Sequence, residues 1–277
     1  MSADAPREVV IAVAPNGGRR TKADHPAIPL TATELARTAA ECLEAGAAMI
    51  HVHIRRPDGR HLLDADAYRE AISAIRAEVG ERLVIQITTE ALGIYSPAEQ
   101  AAVLKAVRPE AASLALRELA PDAASEPAFT DLVGWMKEHG VLPQIILYDA
   151  SEAVRLANMI QRGSVPWTGI PVLYVLGRYT VSQTSQPSDL LPFLAPGAPQ
   201  FSNWSVCAFG RHEAACVTAA ALLGGHVRVG FENNLHLPDG QLASRNAALV
   251  EPVASAIERL GYSPADAAAA RRLFCAR

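Results

Sequence analysis

Short runs of β-branched and aliphatic residues recur along the chain, separated by Ala-rich stretches whose apolar positions repeat with the helical period. The first run is Val9–Val13, followed by Thr31-Ala-Thr-Glu34, a capping-box pattern, and a helical stretch that reaches Gly46, where a glycine can close it. A second run, Ala48–Ile54, precedes a helical stretch from Asp66 to Val79 with a break at Gly80. A third, Leu83–Thr89, precedes a helix that starts after Ser96-Pro97, a favoured N-cap and first-turn pair. The alternation continues through Ala112–Leu116 with Phe129–His139, Pro143–Tyr148 with Ala150–Gln161, and Val172–Leu176. It ends with Phe201–Ala208, a helix from near Gly210, then His226–Phe231 and Ala243–Leu260.

Eight strand–helix units in roughly 250 residues have the size and rhythm of an α/β fold of the (β/α)₈ TIM-barrel type. A doubly wound open sheet is the alternative. No composition shift or Pro/Ser-rich linker divides the chain, so the expectation is one TIM-barrel domain over 1–277. A barrel also predicts that functional residues sit at the C-terminal ends of the strands.

Composition narrows the function classes. The 277 residues are 50% hydrophobic and 19% charged, a globular balance, and the net charge of −4 argues against a nucleic-acid partner. No run approaches the roughly 18 apolar residues of a membrane span. The opening MSADAPREVV is mixed and acidic, unlike a signal peptide. Cys42, Cys207, Cys216 and Cys275 form no CxxC pair, which suggests reduced thiols and a cytoplasmic location.

His51 and His53 are two apart on a strand, so both face the same side; Met49 shares that face lower down, while Ile50 and Val52 point toward the helices. Two imidazoles at the inner mouth of a barrel form a chelating pair for a borderline cation such as Zn²⁺ or another divalent metal. A third ligand is needed. Strand eight of a barrel adjoins strand one, next to strand two, and it ends in Phe231-Glu232-Asn233, which brings in Glu232. A His₂Glu set with an open fourth position is a catalytic pattern. The alternative is a pair of buried, hydrogen-bonded histidines. His25, His61, His139, His212, His226 and His236 read as loop, cap or surface positions, with His25 and His212 kept in view.

The stretches Asn16-Gly17, Ala23–Thr31, His51-Val-His53-Ile-Arg55, Asp58-Gly59-Arg60, Gln86–Thr89, Val175–Gly177, Gly210-Arg211 and Gly225–Asn234, with the closing Ser244–Glu251, resemble the β-keto acid cleavage enzymes. The resemblance implies a TIM barrel, a homo-oligomer (dimer or tetramer), and a divalent ion on His51, His53 and Glu232. It implies conversion of a β-keto acid and acetyl-CoA into acetoacetate and a new acyl-CoA by Claisen and retro-Claisen steps.

The acid–base set departs from that family's pattern. Arg19 stands where the family has a carboxylate, Asn233 replaces an aspartate, and Gln144 and Ile146 fall at acidic positions of strand five. Arg228 is kept, and Thr88 and Ser113 keep hydroxyls. Glu90, where the family often has glycine, shares a face with Thr88 and is a candidate general base; it also reads as a loop residue paired with Arg19. Asp149 and Glu118 are weaker candidates. Candidate catalytic residues are thus Arg228, Asn233 and Glu90, and candidate substrate contacts are Asn16, Thr88, Ser113, Arg19 and Arg211. Arg55, Arg117 and Arg178 add to a set of strand-end arginines that suggests an anionic substrate. A metal hydrolase or lyase working without CoA, and a noncatalytic binding relative, are the competing functions. Cys207 reads as a small core residue.

Overall fold

A computed structural model describes residues 6–167 and 169–274; Cys275 and the first five residues of the opening segment lie outside the described residues. Its eight central strands are parallel and close into a barrel in chain order: β1 (Ile11–Val13), β2 (Met49–Val52), β3 (Val84–Thr88), β4 (Ala111–Ala115), β5 (Leu142–Leu147), β6 (Val172–Leu176), β7 (Trp204–Ala208) and β8 (His226–Val229). The open-sheet alternative is excluded by three pairings: β8 bonds to both β7 and β1, and β1 in turn bonds to β2.

The helices form where the sequence signals stand. Thr31 caps Ala32–Glu44, its hydroxyl accepting from the Glu34 N–H at 3.2 Å while the Glu34 carboxylate accepts from the Thr31 N–H at 3.1 Å. Ser96 and Pro97 open Pro97–Val107 in the same way. Outward-facing Ile50, Val52, Ile85, Ile87, Leu114, Ile145 and Leu147 pack under the helix layer.

Alternation along the strands gives the barrel interior two chemistries. Its lower layer is apolar, with Val10, Ala12, Met49, Val84 and Ala111. Above it lie Gln86, Ser113, Gln144 and Ser205, all buried. An element that the sequence pattern did not suggest, the helix Ala267–Phe274, closes the floor by setting Ala269, Ala270 and Phe274 against the lower layer. A parallel bridge between Glu8–Val9 and Ser263–Pro264 ties this segment to the start of the chain.

His226 overturns its expected loop or surface placement. It opens β8, is buried, accepts the Val10 N–H at Nδ1 (3.1 Å) and packs its ring 5.3 Å from that of Phe274. Burial, aided by Arg7, pushes this imidazole down to about 4 from its ordinary 6.5. The unfolded chain therefore takes up a proton at His226 below about pH 6.5 and the folded chain only below about 4. Its contribution is intact above pH 6.5 and is lost as the pH falls through that window, by about 3 kcal/mol in all. His226→Gln, whose amide oxygen accepts the same N–H, is expected to remove about that much of the acid destabilisation in denaturant titrations run from pH 7 to pH 4. An acid limb as steep as the parent's is the contrary result.

Candidate metal centre and active site

His51 ends the inward face of β2, and His53, just past the strand, keeps the same parity. Glu232 follows β8 and reaches across β1 toward them. His51 Nε2 and His53 Nε2 lie 3.1 Å apart, and Glu232 Oε2 is 3.7 Å from the first and 3.4 Å from the second. Ligands at about 2.0–2.2 Å from a tetrahedral Zn²⁺ are separated by about 3.4 Å, so the three groups already have the spacing such a cation needs. Glu232 Oε2 is buried with no hydrogen-bond partner among the described residues, as expected for an atom shaped to meet a cation.

The surroundings prepare these ligands. His51 Nδ1–H donates to Gln86 Oε1 (2.8 Å), the Gln86 amide donates to Gln144 Oε1 (3.2 Å), and the Gln144 amide donates to Ser205 Oγ (3.4 Å). This chain fixes the tautomer that turns the Nε2 lone pair of His51 toward Glu232. Burial, with Arg228 nearby, pushes His51 down to about 3, so its imidazole is neutral at physiological pH and free to ligate. Burial alone would raise Glu232. Arg228, whose Nη2 donates to Glu232 Oε1 at 3.1 Å, outweighs it and holds the carboxyl well below the usual range.

The loop after β1 is fitted around this group. Asn16 donates to the Pro29 and His53 carbonyls (2.9 and 2.8 Å) and accepts the His53 N–H, tying β1 to the end of β2. Arg55 is buried and donates to the Gly17, Arg20 and Gly59 carbonyls, so the arginine of the HxHxR motif holds two loops. Gly17 has φ +61°, and a Cβ there would lie 2.6 Å from Glu232 Cγ; only glycine lets the loop pass so close to the carboxylate.

Above the three ligands is a cavity lined by Thr88, Glu90, Ser113, Tyr148, Arg178 and Arg228, with an apolar wall of Ala115, Ile146, Val175 and Phe209. A second cavity adjoins it, lined by Asn16, Gly17, Gly18, Arg19, Arg20 and Gln183, and shares Glu90, Arg178, Phe209 and Glu232 with the first. Glu90 Oε2 lies 3.6 Å from His53 Nδ1 and its Oε1 lies 3.7 Å from Arg178, so the ion pair expected with Arg19 forms instead with Arg178. The Thr88 hydroxyl accepts the Glu90 N–H at 3.0 Å, and the buried Ser113 hydroxyl has no partner. Arg228 Nε and Nη1 are likewise buried without acceptors among the described residues, beside this cavity.

Other candidates lie elsewhere. Arg211 is exposed and lines neither cavity, nor does Asn233, which is buried with both amide atoms unpaired. Arg117 turns away to pair with Asp149 (3.0 Å) and Glu152 (2.7 Å) between the rings of Tyr148 and Tyr179. Glu118 accepts from the Ala91 N–H and Gln100. His25 packs on Phe231, and His212 bonds to the Ser185 carbonyl. Cys207 is core, as expected, with burial pushing its thiol up to about 11.

Two residues near the site, Tyr148 and His61, escaped sequence reasoning as site residues. Tyr148 continues the inward face of Gln144 and Ile146, a signal that was available. His61 is buried with its ring 5.5 Å from that of His53, brought in by the hairpin of Ile54–Arg55 with His61–Leu62 rather than by strand parity. Arg178, one of the strand-end arginines expected near an anionic substrate, lines both cavities; it follows Gly177, whose φ of +77° ends the alternation of β6.

A trio of nitrogen and oxygen donors at the C-terminal mouth of a (β/α)₈ barrel, beneath a cavity lined by guanidinium and hydroxyl groups, defines a TIM barrel with a candidate metal site. The profile of the beta-keto acid cleavage enzyme family matches residues 8–275, and the chain belongs to that family. It is 31% identical to the 3-keto-5-aminohexanoate cleavage enzyme of Fusobacterium nucleatum subsp. nucleatum over 96% of this chain and 97% of that one. It is 30% identical to the 3-oxoadipate:acetyl-CoA acetyltransferase of Cupriavidus necator, over 96% and 94% respectively. Among solved structures, ObcA bound to oxaloacetate superimposes with a TM-score of 0.72 at 18% identity, covering 90% of this chain and 67% of that one, a likeness of fold.

Proposed function

We propose that the protein cleaves a β-keto acid with acetyl-CoA. In the overall reaction R–CO–CH₂–COO⁻ and acetyl-CoA give R–CO–SCoA and acetoacetate: the substrate's C2–C3 bond breaks, and C2 becomes bonded to the acetyl carbon. The observation that carries this reading is the convergence of His51, His53 and Glu232 on one point beneath a cavity that also holds Glu90 and Arg228. Family membership and the acetyl-CoA named for the Cupriavidus relative support it.

A divalent cation held by His51, His53 and Glu232 would supply Lewis-acid stabilisation of negative charge developing on the keto acid's oxygens. Glu90 is the only cavity-lining carboxylate besides Glu232 among the described residues, and it takes the C2 proton. The resulting enolate attacks the acetyl carbonyl, and CoA thiolate leaves. That thiolate then attacks the R–CO carbon, the C2–C3 bond breaks, and the acetoacetate enolate recovers the proton from Glu90. The free Nε–H and Nη1–H of Arg228 and the hydroxyls of Thr88 and Ser113 stabilise oxygen charge during these steps. Asn16 positions His53, and Arg19 draws anions toward the mouth; Arg211 and Asn233 have no part in this scheme. We take the cation to be Zn²⁺, the protein to be cytoplasmic and the assembly to be a homo-oligomer.

The test is a coupled assay of CoA-ester formation with Zn²⁺, acetyl-CoA and a panel of β-keto acids. Formation of acetoacetate and an acyl-CoA in equal amounts is the expected result. Consumption of a keto acid without acyl-CoA would replace the proposal by a hydrolase or lyase, and binding without turnover by a noncatalytic relative.

A further inference from the structure

Arg178 is a partly buried cation that the reaction scheme leaves without a task. Its side chain is 12% exposed and stands where the two cavities meet, since both are lined by Glu90, Arg178, Phe209 and Glu232. Its guanidinium forms no hydrogen bond among the described residues. The nearest carboxylate, Glu90, is 3.7 Å away, beyond hydrogen-bond reach. The plane of Phe209 supports it from one side, with the guanidinium carbon 5.1 Å from the ring centroid. The other nearby cations are placed differently: Arg228 is bonded to Glu232 and its remaining donors serve the reacting oxygens in the proposed reaction, Arg20 Nη1 donates to the Phe231 carbonyl, and Arg19 is exposed. A supported guanidinium that makes no hydrogen bond among the described residues and only a long ion pair with Glu90 keeps parallel donors for a carboxylate.

On the reading that the site cleaves β-keto acids, we infer that the substrate carries a second carboxylate at the end remote from the reacting carbons, and that Arg178 selects for it. The substrate class is then a β-keto dicarboxylic acid. A substrate with a cationic side chain would meet Arg178 as a like charge beside Glu90, and a plain alkyl chain would leave the guanidinium desolvated and unpaired.

The experiment compares 3-oxoadipate, 3-oxohexanoate and 5-amino-3-oxohexanoate, all six-carbon chains, on the Zn²⁺-loaded enzyme with acetyl-CoA. The diacid is expected to have a kcat/KM at least about 10-fold above the other two, mostly through KM. Arg178→Met should raise KM for the diacid about 10-fold or more and shift the neutral substrate much less, and Arg178→Lys should recover part of the preference. Equal or better turnover of the neutral or amino substrate, or an unchanged preference in Arg178→Met, overturns the inference while leaving the cleavage reaction standing. Should none of the three be turned over, the cleavage reading fails. Thermal stabilisation by adipate and hexanoate then still decides the role of Arg178: adipate stabilising the parent but not Arg178→Met supports it, and equal effects of the two acids exclude it.

Discussion

Glu232→Ala is expected to bind no divalent cation after dialysis and to lose at least about 10³-fold in kcat/KM. The carboxylate is one of three groups whose donor atoms lie within 4.8 Å of one another, and the remaining His51 and His53 cannot complete a three-ligand set. The same change strands a second charge. Arg228 is buried and its ion pair is with Glu232 at 3.1 Å, so the variant also carries an unpaired guanidinium inside the barrel, costing about 3 kcal/mol. Metal content per chain, measured by elemental analysis, together with denaturant midpoints, separates these two losses. A variant that keeps both its ion and its rate contradicts the site assignment outright.

Glu90→Gln should behave differently. It keeps the size of the side chain and removes only the ability to take a proton, so metal content should match the parent while kcat falls by about 10²- to 10⁴-fold. Exchange of the keto acid's C2 hydrogens with D₂O, followed by NMR without acetyl-CoA, isolates the proton-transfer step; enzyme-dependent exchange should disappear along with turnover. Full activity in Glu90→Gln would instead leave the carboxylate as a neighbour of His53 and Arg178 with a purely structural task.

Much of the fold was legible because alternation in a buried parallel barrel is a local signal. His51, Thr88, Ser113 and Arg228 all point inward as their parity within a strand requires, and the apolar partners between them face the helices. Strand ends were less legible where a backbone reversal rather than a side chain ends the strand. The run read as Phe201–Ala208 starts its pairing only at Trp204, and the run read to Phe231 stops at Val229, just before Gly230 turns with φ +135°. The same turn carries the chain on to Glu232, which strand position identified, and buries Asn233, which resemblance had put among the reacting groups. Placement of Arg117, Glu118 and Asp149 depended on helix caps and loop ion pairs, which no single-strand pattern encodes. The helix Ala267–Phe274 was missed because eight residues supply barely two turns of period, and its apolar face has meaning only beneath a barrel.

That last helix has a consequence for how the molecule is made. Residues 265–274 follow every strand of the barrel, yet they cover Val10, Ala12 and Met49 from its opening third. During synthesis the eight strands can emerge and pair while the tube still lacks its stopper, leaving a greasy well open to water. A nascent chain in that condition presents the kind of surface that holdase chaperones grip and that neighbouring chains stick to, and only release of residues 265–274 seals it.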